Sequence, residues 1–202
     1  MASFFSAFLR RPAEVGAIAP SSRSLARRMV RGMDLANARC VVEYGPGTGA
    51  FTREVVARIG PDTRFFAIEK NPDFIPILHE RFPKLDVVGA SAEELPRLLA
   101  ERGLDAADYI ISGLPYTVLP WGLVERIIAV SHECLRPGGL FNTVQYYNSY
   151  VLMPAARKFQ RLLRATFDAI THYRTLWNLP PAFVYSCRKR HERCNKAART
   201  AE

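Results

Sequence analysis

Residues 40–52 read CVVEYGPGTGAFT. A short apolar run ends in an acid, Glu43, and three alternating glycines follow at Gly45, Gly47 and Gly49. This is the pattern of a buried strand turning sharply into a helix. Glycine lets a backbone approach a ligand where a Cβ would collide. Working outward, a second apolar run, residues 64–68, is followed by another acid, Glu69, about 20 residues after the last glycine, the spacing at which a nucleotide-binding sheet places its ribose acceptor. A carboxylate there can accept both ribose hydroxyls, each bond contributing about 1.5–3 kcal/mol.

The glycine string alone also fits a dinucleotide fingerprint, as Gly45-x-Gly47-x-x-Ala50. Glu43 separates the two readings. An acid just before the glycines opposes a pyrophosphate and suits the cationic end of S-adenosylmethionine, which has a sulfonium and an α-ammonium against one carboxylate. Thr52 closes the glycine segment and Lys70 follows Glu69, and both belong to the same candidate cofactor site. The plainer alternative is a tight strand–helix turn that binds nothing. Two acids at nucleoside spacing speak against it.

The 202 residues suit one domain with a full core, and 49% hydrophobic content argues against disorder. No apolar run reaches the 18 or so residues of a membrane span. Phe4, Phe5, Phe8 and Leu9 precede Arg10 and Arg11, the reverse of a secretory signal, so a cytoplasmic protein is expected. Cysteines 40, 134, 187 and 194 form no CxxC pair, and the four histidines are dispersed. No metal site, nucleophile–base pair or triad is expected.

The net charge is +9, and it is unevenly spread. Residues 1–32 hold six basic and one acidic side chain, residues 33–150 eleven and fifteen, residues 151–202 eleven and three. A mildly acidic middle between two basic ends points to an anionic surface, nucleic acid or lipid. Solvated arginine is the ordinary alternative for either end alone.

The middle of the chain alternates strands and helices, which predicts an α/β, Rossmann-like, doubly wound sheet. Strands are expected at Cys40–Tyr44 and at residues 64–69, 85–89, 108–112 and 140–146. Residues 172–177 and 183–187 could add an antiparallel pair at one edge, giving seven strands. Helices are expected at residues 51–59, 72–81, 93–101 and Trp121–Cys134, the last preceding a turn at Pro137-Gly138-Gly139. The expected division is an amphipathic segment at 1–34, a catalytic domain at 35–187 and a frayed basic tail at 188–202.

In the first segment an aromatic helix, Phe4 to Leu9, precedes a helix started by Pro20-Ser21-Ser22. The second puts Leu25, Ala26, Met29 and Met33 on one side and Arg23, Arg27, Arg28 and Arg31 on the other. Such a pair can lie on a membrane interface or cover the cofactor. Residues 155–170 repeat the theme, with Phe159, Leu162, Leu163, Phe167 and Ile170 opposite Arg157, Lys158, Arg161 and Arg164. A core-packed helix with a basic outer face is the expectation there.

After the fourth strand come Ser112-Gly113-Leu114-Pro115-Tyr116. With the glycine motif and Glu69, this segment resembles the class I S-adenosylmethionine-dependent methyltransferases. Two branches compete. The rRNA adenine dimethyltransferases carry Asn-Leu-Pro-Tyr or Phe here, their asparagine holding the target amino group. This chain keeps Leu114-Pro115-Tyr116 but has Gly113 in that place. It is more similar to the bacterial phospholipid N-methyltransferases, which show Ser-Gly-Leu-Pro here, begin with a segment like residues 15–22 and end in one like residues 178–182. The resemblance covers roughly residues 1–187. It implies S-adenosyl-L-methionine as cofactor and N-methylation of phosphatidylethanolamine toward phosphatidylcholine, with an rRNA adenine N6-methyltransferase as the alternative. It implies a cofactor site built from Ser21, Ser22, Glu43, Gly45, Gly47, Gly49, Thr52, Glu69, Lys70, Ser91, Ala92, Ser112, Gly113 and Leu114. Family members often have Gly-Asp-Ala where this chain has Ala90-Ser91-Ala92, so Ser91 offers the adenine a neutral hydroxyl instead of a carboxylate.

Methyl transfer from a sulfonium needs a neutral amine aligned with the methyl group and shielded from water. Tyr116, Tyr146 and Tyr147 are the candidate catalytic residues, as proton acceptors or as rings that attract a cationic head group. Edge packing is the plainer alternative for each. The expected partners are a phospholipid and the anionic inner face of a membrane, with no nucleic acid, for a protein expected to be a monomer.

Overall fold

Seven apolar runs pair into one sheet, in the order β3-β2-β1-β4-β5-β7-β6. The computed structural model describes residues 22–147, 154–175 and 181–190. The strands are β1 (Cys40–Tyr44), β2 (Arg64–Ile68), β3 (Asp86–Val88), β4 (Ala107–Ser112), β5 (Leu135–Tyr146), β6 (Ala169–Thr175) and β7 (Ala182–Arg188). The first five run parallel, and β7 lies antiparallel between β5 and β6. β1 and β4 are buried on both faces, which is why they read as mainly apolar runs rather than alternating ones. Strand order reverses between β1 and β4, and a ligand crevice opens at such a switch point, beyond the carboxyl ends of the strands.

The helices are α1 (Arg23–Met29), α2 (Ala50–Val56), α3 (Phe74–Arg81), α4 (Leu95–Ala100), α5 (Trp121–Cys134) and α6 (Pro154–Thr166). They cover two cores. On one face Val42, Tyr44, Ile110 and Phe141 pack against α4, α5 and α6 through Leu98, Ile128 and Phe159. On the other, Val41, Ile111 and Val144 pack against α1 and α2 through Leu25, Met29 and Val55. Each such fully buried side chain stabilises the fold by about 1.5–3 kcal/mol.

Four expectations need correction. The helix after Ser22 ends at Met29, so Met33 lies beyond it. That helix is part of the core on the α2 face, so a boundary at residue 34 cuts through one packed unit from Ser22 onward. Asn142 reinforces the joint, its Nδ2 donating to the Met29 carbonyl at 2.8 Å. Pro137-Gly138-Gly139 is not a turn outside the strand but an irregularity within β5, where the pairing shifts from Ala107↔Leu135 to Tyr109↔Leu140. Helix α6 stops at Thr166, and Ile170 stands in β6 despite continuing the helical period. The Phe4 to Leu9 helix, Pro20-Ser21, residues 178–180 and the tail from 191 lie outside the described residues.

Candidate functional site

Each strand that ends at the carboxyl edge is tied to its neighbour there. The Gly45 N–H donates to the Ile68 carbonyl at 2.9 Å, the Gly113 N–H to Tyr44 at 2.8 Å, and the Glu69 N–H to Val88 at 2.9 Å. These bonds bring the loops after β1, β2, β3 and β4 side by side. The expected cofactor residues on these loops therefore converge on one edge, while Ser21 lies outside the described residues.

Glu43 is completely buried, and Thr52 Oγ1 donates to its Oε2 at 2.7 Å. Its Oε1 has no hydrogen-bond partner in the protein. Burial pushes the carboxyl up to about 8, with Thr52 pulling the other way and Glu69 adding a smaller upward push. A buried acid with a free oxygen beside a glycine loop fits a cationic ligand, because a nearby positive charge favours the ionised form.

Glu69 performs a task that the sequence did not suggest. Its Oε2 accepts from the Gly47 N–H at 3.1 Å and its Oε1 from the Asn71 N–H at 2.8 Å. It thus clamps the glycine loop to the end of β2. Burial raises its pKa, and those backbone donors oppose the rise. Each carboxylate oxygen retains a further lone pair for a ribose hydroxyl. Lys70 beside it is exposed.

The glycines have different reasons. Gly47 has φ +54°, and a Cβ built there would meet nothing within 4 Å. Its place is set by a left-handed backbone facing open space, the form of a cradle for a ligand. A Cβ at Gly113 would instead stand 2.8 Å from the Gly45 carbonyl oxygen. Gly113 therefore keeps two loops in contact. Gly49 begins α2 and packs against Phe82 and Leu78, while Gly45 lies against Leu114.

Ser22 caps α1, accepting from the Leu25 N–H at 3.2 Å. The Ser91 N–H donates to Glu94 Oε1 at 2.8 Å, capping the turn Ala92–Glu94 in which Ala92 is buried. Both are thus anchored by local bonds.

Tyr116 is the main departure from the sequence reading. It is 3% exposed, its hydroxyl pairs with Ser112 Oγ at 2.8 Å, and its ring stacks on Phe159 with centroids 4.5 Å apart. Burial pushes its phenol far above the ordinary value. A phenol held in this way keeps its proton, so the structure makes Tyr116 a support for Ser112 rather than a proton acceptor. Tyr146 is half-buried against the α1 core. Tyr147 is 50% exposed, with its ring tilted against Phe183.

Sequence reasoning passed over the polar residues inside β5. Asn142, Thr143 and Gln145 are all buried, and Thr143 Oγ1 and both amide atoms of Gln145 have no partner. The signal was available in the run FNTVQYY, where polar residues interrupt a strand that should be buried on both faces.

The sequence and the fold match known methyltransferases. The sequence family described as Methyltransferase domain matches residues 41–139. An ornithine lipid N-methyltransferase from Singulisphaera acidiphila is 37% identical over 92% of this chain and 94% of its own length. A ribosomal RNA small subunit methyltransferase A from Halothermothrix orenii is 31% identical, but over 54% of this chain and 38% of its own. Among solved structures, an O-methyltransferase from Bacillus cereus in complex with S-adenosylhomocysteine superposes with TM-score 0.69 at 14% identity, covering 94% of this chain and 91% of that one.

Proposed function

This chain belongs to the class I S-adenosylmethionine-dependent methyltransferases, and we propose that it methylates the amine of a membrane lipid. Phosphatidylethanolamine is the first substrate, because Ser112-Gly113-Leu114-Pro115 has the form expected of phospholipid N-methyltransferases. Ornithine lipid is the second, because the relative that aligns over nearly the whole chain carries that name.

The observation that carries the reading is the contact at Gly113. A side chain there would run into the Gly45 carbonyl, within the loop that forms the cofactor cradle. An amide that grips a flipped adenine has no room at this position, and the Tyr116 ring, already stacked on Phe159, is not available to stack on a base. The match to an RNA methyltransferase is also the shorter one.

S-adenosylmethionine, when bound, supplies an electrophilic methyl group on a sulfonium. The residues of this chain do the rest. Glu43 offers a buried carboxylate oxygen to the cationic end, and Glu69 offers lone pairs to the ribose while holding the Gly47 loop. Ser112 and Tyr116 set the edge of β4 toward the acceptor. Tyr146 and Tyr147 stand at the end of β5, where their rings can attract an ammonium head group. The exposed Arg157, Lys158, Arg161 and Arg164 of α6 face an anionic lipid surface in this reading. Among the described residues no helix is long and apolar enough to cross a membrane.

The test is to supply labelled methyl donor with vesicles of phosphatidylethanolamine, vesicles containing ornithine lipid, and rRNA, in separate reactions. Label in either lipid and none in RNA is the expected result. Label in RNA alone would overturn the lipid reading and leave the methyltransferase family intact.

A further inference from the structure

The clearest unexplained feature of the edge is Gln145. It is 4% exposed, and neither its Oε1 nor its Nε2 has a hydrogen-bond partner. Buried polar groups are normally paired, and those that are not call for an explanation. Asn142, three residues earlier on the opposite face, is satisfied at one atom, its Nδ2 tying α1 to the sheet while its Oδ1 has no partner, whereas Gln145 is unsatisfied at both.

Register places Gln145 just past the carboxyl end of β4. Thr143 pairs with Ser112, the last residue of β4, and Gln145 lies two residues beyond it, about 7 Å further along the strand. Side chains alternate along a strand, so Phe141, Thr143 and Gln145 share one face. That face carries the Ser112–Tyr116 pair and Phe159. Gln145 thus overhangs the end of β4, on the acceptor side of the switch point. Thr143 Oγ1, also without a partner, lies one row deeper.

We propose that Gln145 holds the acceptor amine, its Oε1 accepting an N–H while its Nε2 donates to an oxygen of the same head group. This rests on the lipid-amine reading. The chemistry favours a carboxamide over an acid at this point. A carboxylate would stabilise the ammonium form, whose nitrogen has no lone pair to offer. A neutral carboxamide accepts one N–H without that bias, and orients the nitrogen while its lone pair stays free.

The test uses the full chain and two variants. Gln145→Met keeps the length of the side chain and removes both hydrogen-bonding atoms. Gln145→Glu keeps an acceptor oxygen. Thermal stability, S-adenosylhomocysteine affinity and initial rates on phosphatidylethanolamine vesicles and on ornithine lipid vesicles are compared with wild type. The expected result for Gln145→Met is a melting temperature no lower than wild type and cofactor affinity within about twofold, with kcat/KM on lipid down by about tenfold or more. Gln145→Glu recovers part of that loss as pH falls and its carboxyl becomes protonated. A loss with one vesicle type assigns the contact to that head group. Unchanged lipid kinetics in Gln145→Met would overturn the proposal, and so would a lowered melting temperature with matching loss of cofactor binding, which would mark a packing role. Should wild type label neither lipid, the lipid-amine reading itself falls. Wild-type activity with an equally active Gln145→Met removes only the role of Gln145.

Discussion

The two halves of the carboxyl edge are built in opposite ways. Beneath β1 and β2, polar side chains are largely satisfied by the protein itself. Glu69 has a backbone donor on each oxygen, and Glu43 has Thr52 on one of its two. Beneath β4 and β5, Ser112 and Tyr116 satisfy each other, while Thr143 and Gln145 satisfy nothing. The first half holds a fixed shape before a ligand arrives, which lowers the ordering cost of binding. The second leaves hydrogen-bonding capacity for whatever enters. A scaffold that serves one invariant cofactor and a separate acceptor has reason to differ in this way.

The largest effect should come from breaking the fixed half at Gly47. Gly47→Val places a β-branched residue at φ +54° and points its Cβ into the cradle. Backbone strain alone costs about 1–3 kcal/mol, and the branch occupies ligand space as well. Calorimetry with S-adenosylhomocysteine should show no measurable binding, while circular dichroism stays native. Normal affinity would mean that the cradle does not hold the cofactor.

Glu69→Ala is next. It removes the ribose acceptor and the clamp on the Gly47 N–H together, so affinity should fall by about 2–4 kcal/mol. Glu69→Gln, which keeps one acceptor oxygen for the loop, should lose less. Equal losses in the two variants would show that charge, not the clamp, decides the effect.

The two halves also differed in how easily they could be read from sequence. The cofactor half is encoded locally. β1 and α5 fall on their expected bounds, and the acids stand next to the glycines or at a fixed distance from them. The acceptor half depends on contacts that no spacing reveals. The phenol of Tyr116 turns inward because Phe159, 43 positions away, stacks on its ring. The β5 irregularity at Pro137-Gly138-Gly139 resembled a turn because proline and glycine mark both. Ile170 continued a helical period that Thr166 ends, and β7 recruits the residue as a strand partner of Cys187. Gln145 became noticeable only once its burial and lack of partners were visible together.

Glu43 offers a pH test of the fixed half. Burial holds its folded pKa at about 8, above the ordinary value of 4.5. A raised carboxyl contributes stability that is full below the unfolded value and is lost as pH rises through the folded one. The ligand-free protein should therefore lose stability between pH 4.5 and 8 from this group, and Glu43→Gln should flatten that slope. Cofactor binding should run the other way. A cationic ligand selects the ionised form, so affinity should rise by up to about fivefold from pH 7 to 8, with proton release. Calorimetry in buffers of different ionisation enthalpy measures that release. Its absence would place the cationic end away from Glu43.

The smallest expected effect lies outside both halves, on the outer face of α6. Ala156, Phe159 and Leu163 bury one side of this helix, so Arg157, Arg161 and Arg164 are held on the other as part of a rigid surface rather than a loose tail. Lys158 sits over the Trp121 ring with its ammonium 3.9 Å from the centroid, which joins the basic face to α5. Each basic residue near an anionic membrane contributes about 1 kcal/mol, so Arg161→Gln should reduce partition into anionic vesicles by about fivefold. The same substitution should leave S-adenosylhomocysteine affinity unchanged, because Arg161 is exposed on the outer face, while α6 meets the β4 edge through Phe159 on the opposite side. Raising ionic strength should weaken vesicle binding by wild type more than by the variant, since screening acts on the charges that remain. Equal sedimentation with neutral and anionic vesicles, at any salt, would remove α6 from the membrane contact and leave the two halves of the edge as they stand.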